Sequence, residues 1–427
     1  MHRLWTVLVL ALLASCGDGI GSGGGSTTAG PTDNDALQND DQDPVVTTPN
    51  IPVVTTGLNL LSYKDNGDNS VDVVFRAVKS DGEGLSGLDT SDFKITENGT
   101  ALSAESQFYL DREQWLSFSH EIRILVDVSS SMTQLASVRS ALRSLLVEQN
   151  TLDTRQAVTL ASFDDTVVNH LAVPTRLASS IDTALSGVAS RGVNSTDLNG
   201  AIETYARTLR QSYQSGNLRF KSLIVITDGE DSAARVTLSE ALSAIGTDTV
   251  YMVNLGEHSE SLQLLGTGGY YANQDVYSAM RAVMQDIEAY ENSHYELHHF
   301  SAKRASQSGS SSHELGIGLD GTTISVAFLA SSRSSRASQL EITPITEANL
   351  NDSVTLAARL VPPQAGVEGE LTWYVNTDVC GIEQYGSGLE TQAALLFFRS
   401  GECSVTAKYM PYGSVEPFHI NQVITVH

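Results

Sequence analysis

The chain has 427 residues, with 50 acidic against 25 basic side chains and a formal net charge of −25. That length supports two to four domains with a sizeable core, and the acidic balance excludes a nucleic-acid partner, which would require a basic face. The three cysteines, Cys16, Cys380 and Cys403, are too few for a disulfide scaffold or a cysteine zinc site.

Residues 1–15, MHRLWTVLVLALLAS, join a charged start at Arg3 to an apolar run from Leu4 to Ala14. The run is far shorter than the roughly 20 residues of a membrane span, so it reads as the core of a signal peptide. It closes on Leu13-Ala14-Ser15-Cys16, which resembles the lipobox of bacterial lipoproteins. That resemblance implies lipidation of Cys16, membrane attachment through the N-terminal lipid and a place in the cell envelope. Gly17 follows the cysteine in place of an aspartate. The expected destination is therefore the outer membrane, on its periplasmic face or at the cell surface. Residues 16–52 are rich in Gly and Ser and then acidic, with Asp33, Asp35, Asp40, Asp41 and Asp43. They bury too little to order themselves and read as a disordered tether.

Residues 53–118 read as a β-sandwich domain. Val71, Val73 and Phe75 alternate with polar or small neighbours, the period of a half-buried strand. Asp65-Asn66-Gly67-Asp68 and Ser80-Asp81-Gly82 are turn signals, the first of a hairpin. The run GLSGLDTSDFKITENGT resembles, through Leu88, Asp92, Phe93, Glu97 and Gly99, the β-rich segment that precedes von Willebrand A domains in bacterial secreted proteins.

Over residues 119–293 strands alternate with helices. The apolar run Ile122 to Val126 ends in Asp127, and Ser129 and Ser131 follow. This predicts a buried strand with Asp-x-Ser-x-Ser in the loop at its carboxyl end, the edge where open α/β sheets bind ligands. Leu135, Val138, Ala141, Leu142, Leu145 and Leu146 have the spacing of one amphipathic helix. Strands are expected at Ala157–Phe163, Leu223–Thr227 and Thr249–Leu255, and helices at Thr196–Leu209 and Val276–Tyr290. The alternation implies an α/β fold, a doubly wound, mostly parallel sheet. If its strands are central neighbours, the loops bearing Asp127, Asn194 to Asp197 and Asp228 meet at one edge. Their carboxylates and hydroxyls offer only oxygen, which suits a hard cation such as Mg²⁺.

The combination of Asp127-x-Ser129-x-Ser131, Thr196 and Asp228, in that order, resembles the von Willebrand A (integrin I-like) domain with its metal-ion-dependent adhesion site (MIDAS). The resemblance implies that Asp127, Ser129, Ser131, Thr196 and Asp228 hold Mg²⁺, with Mn²⁺ or Ca²⁺ as alternatives. It also implies a protein partner whose Asp or Glu carboxylate completes the shell. The expected role is adhesion or protein–protein interaction without enzymatic activity. A periplasmic scaffold or assembly subunit using the same site is the alternative. A metallohydrolase is disfavoured because the motif places no base. Glu230 and Asp231 read as solvated loop charges, and Asp164-Asp165 as a turn. His294-Tyr295-Glu296-Leu297-His298-His299 lacks His-Glu-x-x-His spacing and alternates like a strand.

Tyr295–Phe300, Glu314–Leu319 and Thr323–Leu329 read as strands, the first two joined by a Ser-rich loop. They are too short to form a domain alone. The expectation is that residues 294–330 complete the sandwich of residues 53–118, with β segments and linker running to residue 337. Residues 338–427 show strands at regular spacing, among them SVTLAARLVPP and LTWYVN, which suggests an immunoglobulin-like β-sandwich. These two runs weakly resemble bacterial immunoglobulin-like repeats. Cys380 and Cys403 fall in this unit. They either pair in an oxidising envelope, for roughly 3 kcal/mol on the chain-entropy model, or remain free thiols.

Overall fold

A computed structural model of the chain describes residues 57–79, 82–112, 115–303, 312–330, 338–364, 367–375, 378–414 and 417–427. The leader over residues 1–15, Cys16, the tether, the Ser80-Asp81 step and most of the Ser-rich loop lie outside the described residues.

The central sheet has seven strands. In spatial order six of them are Gly269–Tyr271, Thr249–Asn254, Asn217–Thr227, Phe118–Asp127, Gln156–Phe163 and Val167–Thr175, and Ser212–Gln214 pairs with Asn217–Thr227. The four central pairings are parallel; Val167–Thr175 and Ser212–Gln214 run antiparallel to their neighbours. Ile124, Leu125 and Val126 are all buried because helices cover both faces. On one face Ile124 and Val126 meet Val138, Leu142, Leu185 and Val283; on the other Leu125 meets Ile202, Ile245 and Leu262. Each such side chain fully withdrawn from water stabilises the fold by about 1.5–3 kcal/mol.

The helices depart from the sequence expectation in detail. The one expected through Leu146 is α-helical only over Leu135–Arg143 and widens to a π turn over Ser144–Glu148, keeping Leu145 and Leu146 buried. The helix expected at Thr196 begins at Leu198, leaving Thr196 in the loop before it.

The first two sheets are built from both sides of this α/β unit. Gly57–Asp65, Ser70–Val78, His294–Phe300 and Gln107–Asp111 form one four-stranded sheet. Thr322–Leu329, Ser312–Leu319, Lys94–Glu97 and Thr100–Ala101 form the other. The chain leaves the first sheet at Asp111 and re-enters it at His294, between two strands laid down earlier. Phe75, Tyr295 and Leu297 of one sheet share a core with Leu315, Ile317 and Phe328 of the other. Ser70–Val78 is not half-buried, as its alternation suggests. Its opposite face carries Val74, fully buried with Phe118, Phe220 and Tyr290 where the α/β unit packs on it.

From Gln339 onward the described elements are strands and one short 3₁₀ turn, Gly388–Glu390, around a core that includes Trp373, Tyr409 and Phe397. Cys380 and Cys403 are joined by a disulfide with Cα atoms 5.8 Å apart, linking two sheets. The run SVTLAARLVPP is two strands, not one. Ser353–Leu356 pairs with Gln392–Phe397, and Ala358–Val361 pairs with Gln339–Ile342. The switch falls at Ala357, whose N–H donates to Thr343 Oγ1 at 2.9 Å and whose carbonyl accepts from Thr343 N–H at 3.0 Å. Among the described residues no helix is long and apolar enough to cross a membrane.

Candidate metal site

The parallel register sets Val126 opposite Ile226, so Asp127 and the Thr227-Asp228 step leave the sheet side by side. Asp127 is fully buried. Its Oδ1 accepts from Ser129 N–H at 2.8 Å, and its Oδ2 accepts from Thr227 Oγ1 at 2.7 Å. Ser129 Oγ lies 3.0 Å from Ser131 Oγ, and Ser131 Oγ donates to Asp228 Oδ1 at 3.0 Å. A chain of two hydroxyls thus runs towards the second aspartate. Burial lifts the Asp127 carboxyl above its ordinary range, and the charge of Asp228 adds to the lift. The hydrogen bonds from Ser129 and Thr227 offset this only in part. Among the described residues no lysine, arginine or histidine forms an ion pair with Asp127 or Asp228.

The third loop is tied to the other two through its backbone. Ser130 N–H donates to Val193 O at 2.9 Å, and Ser130 Oγ donates to Asn194. Buried Thr196 receives N–H bonds from Ser232 and Ala233 on its carbonyl, at 2.9 and 3.0 Å, and its own N–H donates to Ser232 Oγ at 2.8 Å. The structure therefore links Ser129, Ser131 and Asp228 by side chain, and Asp127 to Ser129 through the backbone N–H. It brings Thr196 to the same group of loops by backbone bonds.

Several supporting residues go beyond the motif. Thr227, which orients Asp127, directly precedes Asp228 and was within reach of the sequence. Asp164 is more than a turn residue: it is buried, is paired with Arg191 and accepts Asp197 N–H on its carbonyl at 2.6 Å. Burial opposes its charge, but bonds from Thr166 N–H and Arg191 hold the carboxyl below its ordinary range. It thereby anchors the 191–197 loop. Glu230 and Asp231 are not merely solvated. Glu230 accepts from Ser259 Oγ, while Asp231 accepts from Asn199 N–H at 3.2 Å and Ala234 N–H at 2.7 Å. The His294–Phe300 strand sends its histidines to different places: His294 Nδ1 to Tyr290 O at 2.8 Å, His298 to Asp72 and Asp111, and His299 to Glu97 at 2.7 Å.

Residues 122–230, which include Asp127 and Asp228, match the von Willebrand factor type A domain. The chain contains a domain of this type. Solved structures similar to it include the conserved hypothetical protein BatB from Bacteroides thetaiotaomicron, with 22% identity over 40% of this chain and 98% of that one, at a TM-score of 0.32. An aerotolerance-related membrane protein from Bacteroides fragilis is 19% identical over 40% of this chain and 99% of its own, also at 0.32. The vWF domain of the type V pili tip protein Mfa5 from Porphyromonas gingivalis is 15% identical over 29% and 44% of the two chains, at 0.23. No curated protein matches the chain. At this edge of the domain the donor atoms of Asp127, Ser129, Ser131 and Asp228 are oxygens only, two carboxylates and two hydroxyls. Such a set fits a small hard cation and offers nothing to a soft one.

Proposed function

We propose that this chain is a non-enzymatic cell-envelope protein that grips a protein partner through a divalent cation held by Asp127, Ser129, Ser131, Thr196 and Asp228. One observation carries the reading. A fully buried carboxylate, Asp127, and a second one, Asp228, share a hydroxyl-lined edge, and among the described residues no basic side chain pairs with either. A buried charge left in that condition is costly, and a divalent cation removes the cost. Mg²⁺ is the first candidate, with Mn²⁺ and Ca²⁺ as alternatives. Three of the five donor side chains are neutral hydroxyls, so the ion keeps a demand for anionic oxygen. Mg²⁺ also holds some of its shell as exchangeable water. An Asp or Glu of the partner replaces that water. Metal-assisted hydrolysis is not part of the proposal, because the motif places no base.

Lipidation of Cys16 would anchor the chain to the outer membrane, with residues 17–52 as spacer. An immunoglobulin-like reading of the C-terminal unit is supported by Trp373 and the inter-sheet Cys380–Cys403 disulfide sharing one core. The test is capture of envelope proteins by the purified chain in Mg²⁺ and in chelator, with Asp127→Ala alongside. Capture that needs both Mg²⁺ and Asp127 supports the proposal. Identical capture in chelator contradicts it. Protease shaving of intact cells then separates a surface adhesin, which is cut, from a periplasmic scaffold, which is spared.

A further inference from the structure

His298 occupies a setting unlike that of its neighbours in sequence. Its Nδ1 lies 2.7 Å from Asp72 Oδ1. Its Nε2 lies 3.3 Å from Asp111 Oδ2 and 3.8 Å from Glu296 Oε1. Ligand-type atoms of Asp72, Glu296 and His298 all fall within 4.8 Å of one another. Glu296 is 2% exposed, and its Oε1 has no hydrogen-bond partner. Its other oxygen accepts from Gly216 N–H at 3.2 Å. An orphaned carboxylate oxygen in a buried place costs free energy comparable to a lost charged hydrogen bond, and it faces the imidazole here.

The local charge is also unbalanced. Asp72, Asp111 and Glu296 supply three carboxylates. Arg359, stacked over Tyr109 and Trp115, pairs with Asp111 and shares its charge with half-exposed Glu341. With the imidazole neutral, as a metal ligand must be, one guanidinium divided between Asp111 and Glu341 leaves the three carboxylates around the ring in excess.

We propose that Glu296 Oε1 and His298 Nε2, joined by Asp111, bind a zinc ion, with Asp72 on the far ring nitrogen as the orienting carboxylate. A mixed nitrogen and carboxylate set is a zinc set, unlike the all-oxygen edge at Asp127. Two ligands about 2 Å from one tetrahedral ion stand about 3.3 Å apart, close to the 3.3 and 3.8 Å separations around Nε2. The carboxylate–histidine–metal relay supplied by Asp72 fixes the ring orientation and raises its basicity. One divalent ion also offsets the excess of carboxylates. The site lies where three parts of the chain meet. Asp72, Asp111, Glu296 and His298 belong to the first sheet, Ser215 and Gly216 to the turn between two strands of the central sheet, and Arg359 to the C-terminal strands. Zinc there would bolt the adhesive domain to its β support.

The experiment uses the full chain carrying Asp127→Ala, so that the first site cannot contribute. Zinc titration by calorimetry should give one equivalent, and Glu296→Gln, which preserves shape, should weaken it at least tenfold. Co²⁺ added to the same protein should give the intense visible bands of a tetrahedral ion, a readout that needs no change at the site. Unchanged zinc affinity in Glu296→Gln, or only the weak spectrum of six-coordinate Co²⁺, would overturn the assignment.

Discussion

The two ends of the Phe118–Asp127 strand treat a buried carboxylate in opposite ways. At the amino end Glu291, 3% exposed, is surrounded by donors. His120 Nδ1 lies 2.5 Å away, and the Gln156 amide reaches both carboxylate oxygens at 3.0 Å. His120 Nε2 in turn meets Ser222 Oγ at 2.8 Å. At the carboxyl end Asp127 is buried just as deeply, with a backbone N–H, one threonine hydroxyl and a second aspartate for company. The first arrangement is complete within the chain and serves stability. The second has hydrogen bonds to both oxygens but no cationic partner among the described residues, which is why the functional proposal rests there.

The largest effect should come from breaking the complete end. Glu291→Ala strands His120 and Gln156 in a dry core and should cost about 3–5 kcal/mol in denaturant unfolding. The response to Mg²⁺ should be unchanged, since the change lies at the far edge of the sheet. Acid attacks the same end. His294 is buried against Phe220 and Tyr290, and burial, with the charge of Arg76, pushes its imidazole down to about 3. The native state refuses a proton that the unfolded chain accepts below about pH 6.5. Its contribution is therefore intact above that pH and is lost as pH falls towards 3, at up to about 1.4 kcal/mol per unit. His294→Gln should flatten that limb of a stability–pH curve.

The comparison sharpens when one isosteric change is made at each end. In chelator, Asp127→Asn should hold or raise the melting temperature, because it removes a charge that burial disfavours. Glu291→Gln should lower it. Equal losses from both would mean that the two ends do not differ. The smallest effect is expected at the rim of the candidate site. Ser259 accepts Leu262 N–H at 3.2 Å as a helix cap and donates to Glu230, so Ser259→Ala should cost about 1 kcal/mol with little change in metal response.

Much of the central domain was legible because its signals are local. Ile122 to Val126 and Leu223 to Thr227 are short apolar runs, and strands covered by helices on both faces have that composition. The loop residues follow from spacing. Asp127, Ser129 and Ser131 lie within five positions, and Asp228 stands directly after its strand. What was hidden depends on distant partners. Val74 looks like the solvent side of an alternating strand until Phe118 and Phe220, far along the chain, cover it. Asp164 reads as a turn until Arg191 reaches it. The break at Ala357 is dictated by Thr343 and leaves no mark in an otherwise strand-like run. His298 sits in a segment without metal-binding spacing because its neighbours, Asp72 and Asp111, come from other strands.

The measurement closest to the central claim is thermal melting of the wild-type chain and of Asp127→Ala, each in Mg²⁺ and in chelator. With Mg²⁺ at 100 times its dissociation constant the wild type should gain about 2.7 kcal/mol, and Asp127→Ala should gain nothing. Equal melting in all four samples would contradict a cation at this edge and, with it, the proposed mode of partner binding.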